Sequence, residues 1–175
     1  YDVYALSFNY GQKHSKELES VRKIASLNNI PTLIVDISNI NVLIKKGSLM
    51  TDESVPEGYY TQESQKSTVV PNRNMILLSL AIGYAETIGA SIVSYAAHKS
   101  DVIYPDCRKE FIEAMSKAIE LAMEGRVRLY APFADMTKAE IVKLGLELKV
   151  PYELTWSCYK AVSYTHLTLP TSDLV

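Results

Sequence analysis

No stretch of this 175-residue chain approaches eighteen uninterrupted apolar residues, and its first residues carry no basic region followed by an apolar one. Neither a membrane span nor a signal peptide is therefore expected. Cysteine is almost absent: Cys107 and Cys158 are too few for a disulfide framework, and reduced thiols in a cytoplasmic protein are the simpler reading. Excess charge of either sign is lacking, since the formal net charge is −2. Electrostatics thus gives no case for a duplex nucleic acid or an acidic membrane as partner. Missing too are a Gly-rich dinucleotide fingerprint, a Walker-type loop, a His-Glu-x-x-His helix and a Gly-x-Ser-x-Gly elbow, which weighs against several enzyme classes. There is no internal repeat, no interdomain linker and no initiating Met. The chain opens directly on Val3-Tyr4-Ala5-Leu6-Ser7-Phe8, a strand already in mid-fold, so a fragment is expected.

What is present is enough for one domain with a core. Val3 to Tyr10 reads as a strand ended by Gly11. Leu18, Val21, Arg22, Ala25 and Leu27 suit a helix that Asn28-Asn29 terminates before Pro31, and Thr32 to Ile37 is a second, β-branched strand. Strand, helix and strand in so short a span make a βαβ unit and hence a parallel sheet with a right-handed crossover. Residues 38–68 are polar and irregular, which suits a mobile lid. Met75 to Ala81 is apolar almost all round and predicts a helix buried on most of its surface. Ser91 to Ala97 reads as a short buried strand, residues 111–122 as a helix, and Val127 to Ala131 as another strand. Thr137-Lys138-Ala139-Glu140 then opens a helix with a capping box.

Three places gather polar chemistry. The richest is the connection holding His98, Asp101, Tyr104, Asp106, Cys107 and Arg108, between a strand and a helix, where open α/β sheets bind ligands. Asp106 has two readings there, as a cap on the helix that follows or as a functional carboxylate. Arg73 and Asn74 precede the apolar helix, so a cation and an amide flank backbone amides that suit an anion. The alternative is a surface arginine with an asparagine cap. Lys138 stands on the first turn of its helix, where it could hold a phosphate although a cation there is mildly unfavourable. Such local conflicts tend to collect at sites. The second cysteine, Cys158, follows the only Trp and alone reads as a small core hydrophobe.

Five blocks in order, Ala5 to His14, Pro71-Asn72-Arg73-Asn74, Ile103 to Phe111, Thr137 to Ile141 and Thr155-Trp156-Ser157-Cys158-Tyr159, resemble the 7-cyano-7-deazaguanine synthase family of the PP-loop ATP pyrophosphatase superfamily. The resemblance implies a three-layer α/β fold, a mostly parallel sheet with helices on both faces, lacking its first strand. It implies a catalytic domain over residues 1–160, and a phosphate loop upstream of Tyr1. It further implies ATP, Mg2+ and Zn2+ as cofactors, with Cys158 as the zinc ligand this chain retains and three later cysteines missing. The implied substrates are 7-carboxy-7-deazaguanine and ammonia, joined via an acyl-adenylate on the path to queuosine in tRNA, without direct contact with nucleic acid or membrane and with a homodimer as a candidate assembly. Residue by residue, Arg73, Asp106 and Lys138 form the expected catalytic set. Ser7, Phe8 and Gln12, with Arg73, Asn74 and Lys138, would bind the nucleotide. His98, Asp101, Tyr104, Asp106 and Arg108 would bind the deazaguanine. Residues 161–175 carry no family-like pattern and resemble a translated adapter, so they are set aside as a non-native tail. Competing readings are another PP-loop enzyme, either an ammonia-dependent amidating synthetase or a tRNA-thiolating enzyme, and a non-catalytic nucleotide-binding or interaction module on the same scaffold.

Overall fold

A computed structural model describes residues 1–12, 16–44 and 69–156. Two compact units divide it, residues 1–70 with 149–175, and Pro71–Leu148.

In the first unit, β1 (Ala5–Asn9) pairs in parallel with β2 (Thr32–Asp36), in register from Ala5 opposite Thr32 to Asn9 opposite Asp36. The crossover is α1 (Lys16–Leu27), which buries Leu18 and Ala25, seven residues and hence two turns apart on one face. Asn29 ends it in the left-handed region at φ 54°. The Asn29 N–H donates to Ser26 at 3.2 Å and the Ile30 N–H to Ala25 at 2.8 Å. That pair of bonds is a Schellman closure, with asparagine in the place where glycine is commonest. The predicted βαβ unit is therefore present. Beyond β2, the Asp36 carboxylate accepts from the Ser38 N–H at 2.8 Å and from Asn9 Nδ2 at 2.9 Å. The Ser38 bonds chiefly hold this carboxyl below its ordinary value. They start a 3-10 turn at Ser38–Ile40 that runs into α2 (Asn41–Ile44). The expected irregular loop thus begins with helical turns, because an Asx-type contact organises its first residues; residues 45–68, the rest of the expected lid, lie outside the described residues. Gly11 turns the chain after β1 at φ 81°, and a β-carbon built there would collide with the Asn41 side-chain amide. Near the end of the unit, Lys16 Nζ sits 4.5 Å from the centre of the Trp156 ring.

In the second unit, α3 (Arg73–Thr87) leads to β3 (Ile92–Ser94), α4 (Lys109–Ala122), β4 (Arg128–Tyr130) and α5 (Lys138–Glu147). β3 and β4 are parallel, with Val93 opposite Leu129. Among the described residues the strands are hydrogen-bonded in two pairs, one in each unit. The core of this unit is Leu78, Ile82 and Ala85 from α3, Met115 and Ile119 from α4, and Val127, which is 1 % exposed. Each large aliphatic side chain buried there contributes roughly 1.5–3 kcal/mol. Against expectation, α3 buries a single stripe, Asn74, Leu78, Ile82 and Ala85, and leaves Met75 and Leu80 exposed. Apolar residues all round a helix supply no preferred face, so the neighbours choose it: α4 and the short sheet cover one side. β3 likewise is not buried: Ile92 and Ser94 are exposed and Val93 between them is half-buried. Among the described residues no helix is long and apolar enough to cross a membrane.

Candidate active site at the start of the third helix

The first turn of a helix leaves its backbone N–H groups without intrahelical partners. At α3 the preceding residue, Asn72, is left-handed at φ 57° and makes no side-chain cap. The cap comes from across the unit: the Asn74 N–H donates to Asp106 Oδ2 at 2.9 Å. Asp106 reaches it from a 3-10 turn, Pro105–Cys107, which Pro105 and the extended Tyr104 set up directly after the Lys99–Asp101 turn. The cap reading of Asp106 thereby needs correction in one respect. It does cap a helix, but α3 rather than the α4 that follows it, since α4 is preceded by Arg108 with no side-chain cap bond. The backbone amide expected to stand open to an anion is met by the protein's own carboxylate. Arg73 and Asn74 also lie inside the first turn of α3 rather than before it.

Around this contact the side chains converge. Asn74 is 8 % exposed and is the buried polar residue among those described. Its Nδ2 donates to Cys107 Sγ at 3.2 Å, and its Oδ1 accepts from Arg73 Nε at 3.3 Å. The Tyr95 hydroxyl donates to the Asp106 carbonyl at 2.7 Å and lies 3.3 Å from Cys107 Sγ. Burial pushes the Tyr95 phenol far above its ordinary 10. Burial also raises the Cys107 thiol, ahead of the opposing effect of its bond to Tyr95. Both groups therefore keep their protons at neutral pH, and Cys107 is no ready nucleophile.

The remaining expected residues divide by place. His98 and Asp101 are a pair: His98 Nδ1 accepts from the Ser100 N–H at 3.2 Å, Asp101 Oδ2 accepts from the His98 N–H at 3.3 Å, and His98 Nε2 lies 3.4 Å from Asp101 Oδ1. These partners hold the imidazole against the turn. Tyr104 donates its N–H to the Asp101 carbonyl at 2.9 Å. Arg108 is exposed and turns Nε back to the Val102 carbonyl at 2.7 Å, so part of its guanidinium closes the loop. Lys138 is exposed on the first turn of α5, where the capping box is formed as predicted: Glu140 N–H to Thr137 Oγ1 at 3.3 Å and Thr137 N–H to Glu140 Oε2 at 2.7 Å. The lead into that helix is tied to the His98 loop by the Lys99 N–H on the Met136 carbonyl at 3.0 Å. Ser7, Phe8 and Gln12 belong to the first unit, where Ser7 and Phe8 lie in β1. Gln12 braces the end of the strand there, donating to Glu17 at 2.7 Å and accepting from the Tyr10 N–H at 3.0 Å. Among the described residues no group of three or more His, Cys, Asp or Glu side chains could hold a metal ion. Cys158, the expected zinc ligand, lies outside them.

Sequence reasoning missed Tyr95. A tyrosine following a strand reads as core filling, and only a neighbour able to use the hydroxyl would flag it, here one from eleven residues away.

Parallel strands, a βαβ unit and a polar cluster where a post-strand loop meets a helix start define an α/β fold with its polar groups placed where such folds bind ligands. The chain matches the family described as queuosine biosynthesis protein QueC over residues 1–167, and it belongs to that family. Its similarity to curated 7-cyano-7-deazaguanine synthases is high. The protein from Archaeoglobus fulgidus is 59 % identical over 162 residues, 91 % of this chain and 68 % of that one. The one from Caldicellulosiruptor bescii is 55 % identical over 91 % of this chain and 73 % of its own length. The Hahella chejuensis protein is 55 % identical over 90 % and 69 %.

Proposed function

We propose that this chain carries the ATP-dependent conversion of 7-carboxy-7-deazaguanine and ammonia to 7-cyano-7-deazaguanine. The chemistry needs a nucleotide because a carboxylate is a poor electrophile. Attack of the substrate carboxylate on the α-phosphate of ATP gives an acyl-adenylate and releases pyrophosphate, ammonia then displaces AMP to give the amide, and a second adenylation makes the amide oxygen a leaving group for the nitrile.

One observation carries the assignment of roles, namely the meeting of Arg73, Asn74 and Asp106 at the start of α3. With an Asp106 oxygen on the Asn74 amide, that amide is already taken, and binding of phosphate falls to the neighbouring side chains. Arg73, its Nε fixed by Asn74 Oδ1, neutralises charge developing on the phosphates, and Lys138 holds them from the first turn of α5. Fixed charges of this sort supply most of the stabilisation in such transfers. The other Asp106 oxygen accepts from the amino-bearing edge of the deazaguanine, as carboxylates do with amino groups on bases. His98, Asp101, Tyr104 and Arg108 line the same loop and complete its binding surface. Mg2+ would accompany the phosphates, and Cys158 would contribute one thiolate to zinc.

The deciding experiment is pyrophosphate release with 7-carboxy-7-deazaguanine and ammonium, against controls lacking each. Release that requires the acid supports the reading. Release with another carboxylic acid but not this one transfers the chain to a different amidating specificity, and binding of ATP without turnover of any acid returns it to a nucleotide-binding module.

A further inference from the structure

We propose that Tyr95 is a positioning residue, whose hydroxyl completes a ring of hydrogen bonds that sets the Arg73 guanidinium and the Asp106 carboxylate against the same helix start. The proposal rests on the roles given above to Arg73 and Asp106, and it deepens them by naming what holds those two groups in place.

The donors and acceptors of the ring match. Arg73 Nε can only donate, so the Asn74 side chain must present Oδ1 to it at 3.3 Å. That choice turns Nδ2 toward Cys107 Sγ at 3.2 Å, where sulfur accepts. The Tyr95 hydroxyl donates to the same sulfur, 3.3 Å away. It donates as well to the Asp106 carbonyl, the shortest contact of the set at 2.7 Å. The Asp106 side chain closes the circuit by accepting the Asn74 backbone N–H at 2.9 Å. The ring works only while the phenol keeps its proton, which burial of Tyr95 ensures. Bonds to sulfur are individually weak. Their effect here is geometric, because the ring ties a turn to a helix start 32 residues away and orients two charged groups at once.

Two readouts test this on the 175-residue chain. The Asn74 amide has no intrahelical acceptor, so its hydrogen exchange reports directly on the Asp106 bond. Tyr95→Phe should speed exchange at Asn74 by at least about tenfold and lower kcat for acid-dependent pyrophosphate release by about tenfold, with KM for ATP within about threefold of wild type. Cys107→Ala breaks the ring at a second point and should do the same, which keeps the test alive if Tyr95→Phe fails to fold. Cys107→Ser retains an acceptor at that point, and should stay within about threefold of wild type in both readouts. Wild-type exchange at Asn74 in Tyr95→Phe would overturn the ring. So would a Cys107→Ser variant as impaired as Cys107→Ala, which would make the side chain's shape rather than its acceptor the operative feature. Accelerated exchange with an unchanged kcat would reduce Tyr95 to a structural residue. If the wild-type chain releases no pyrophosphate with the acid, the reaction assignment fails and the positioning role falls with it, while the exchange ratios still decide whether the ring exists.

Discussion

Two helix starts in the second unit solve the same problem in opposite ways. α5 is capped from within four residues, by Thr137 and Glu140 exchanging bonds with each other's backbone. α3 is capped by Asp106, 32 residues along the chain, while its own Asn72 offers no side-chain bond. A local cap stabilises its helix whatever the rest of the molecule does. A cap delivered from another loop makes the start of the helix conditional on that loop. The chemistry proposed for this chain gathers at the conditional start, with Arg73, Asn74 and Asp106, whereas the self-sufficient start contributes a single exposed lysine. Coupling of this kind lets one turn hold two charged groups in register, which an autonomous capping box cannot do.

The comparison can be broken most forcefully at Asp106. Asp106→Asn keeps an oxygen for the Asn74 amide but removes the charge; kcat should fall by about a hundredfold, with the melting temperature near wild type. An unchanged rate would leave Asp106 a cap and nothing more. Next in size is Lys138→Met, for which KM for ATP should rise roughly tenfold while stability holds or improves slightly, since a cation leaves the positive end of a helix. An unaltered KM would remove Lys138 from the nucleotide site. Thr137→Ala sharpens the contrast on the stability side: loss of the local cap should cost about 1 kcal/mol in denaturant unfolding. The smallest effect is one of pH. The Thr137 backbone bond holds the Glu140 carboxyl below its ordinary 4.5. A depressed folded value means that this stabilisation is present above the unfolded value and is lost as pH falls through the folded one. The difference in melting temperature between wild type and Glu140→Gln should therefore shrink on acidification between about pH 5 and pH 3, modestly because Glu140 is exposed. A constant difference would show that the bond, not the charge, is what matters.

Legibility from sequence followed the same division. The capping box of α5, the Asn28-Asn29 stop of α1 and the βαβ unit were readable because each is written in neighbouring residues. The partner of Asp106 was not, because a Pro-Asp pair before a helix points to that helix, and only the folded chain brings α3 within reach. The face of α3 was hidden for a related reason: Met75 and Leu80 are as apolar as Leu78 and Ile82, so no periodicity separates the two that are exposed from the two that are buried. The helical turns at 38–44 were missed because a polar stretch reads as loop unless the Asp36 contact to Ser38 is foreseen. The gathering of polar residues in the 98–108 connection was visible, yet its use of Tyr95 and Cys107 depends on distances that spacing does not encode.

Gly11 has a consequence for the history of the chain. Its backbone sits where side chains are disfavoured, and the space beside it is taken by the Asn41 amide. Relief would take two coordinated changes, one to the backbone path and one at position 41, and neither helps alone. A descendant of this gene that drifted to a new substrate by altering the loops of the second unit would still be expected to carry glycine after this strand.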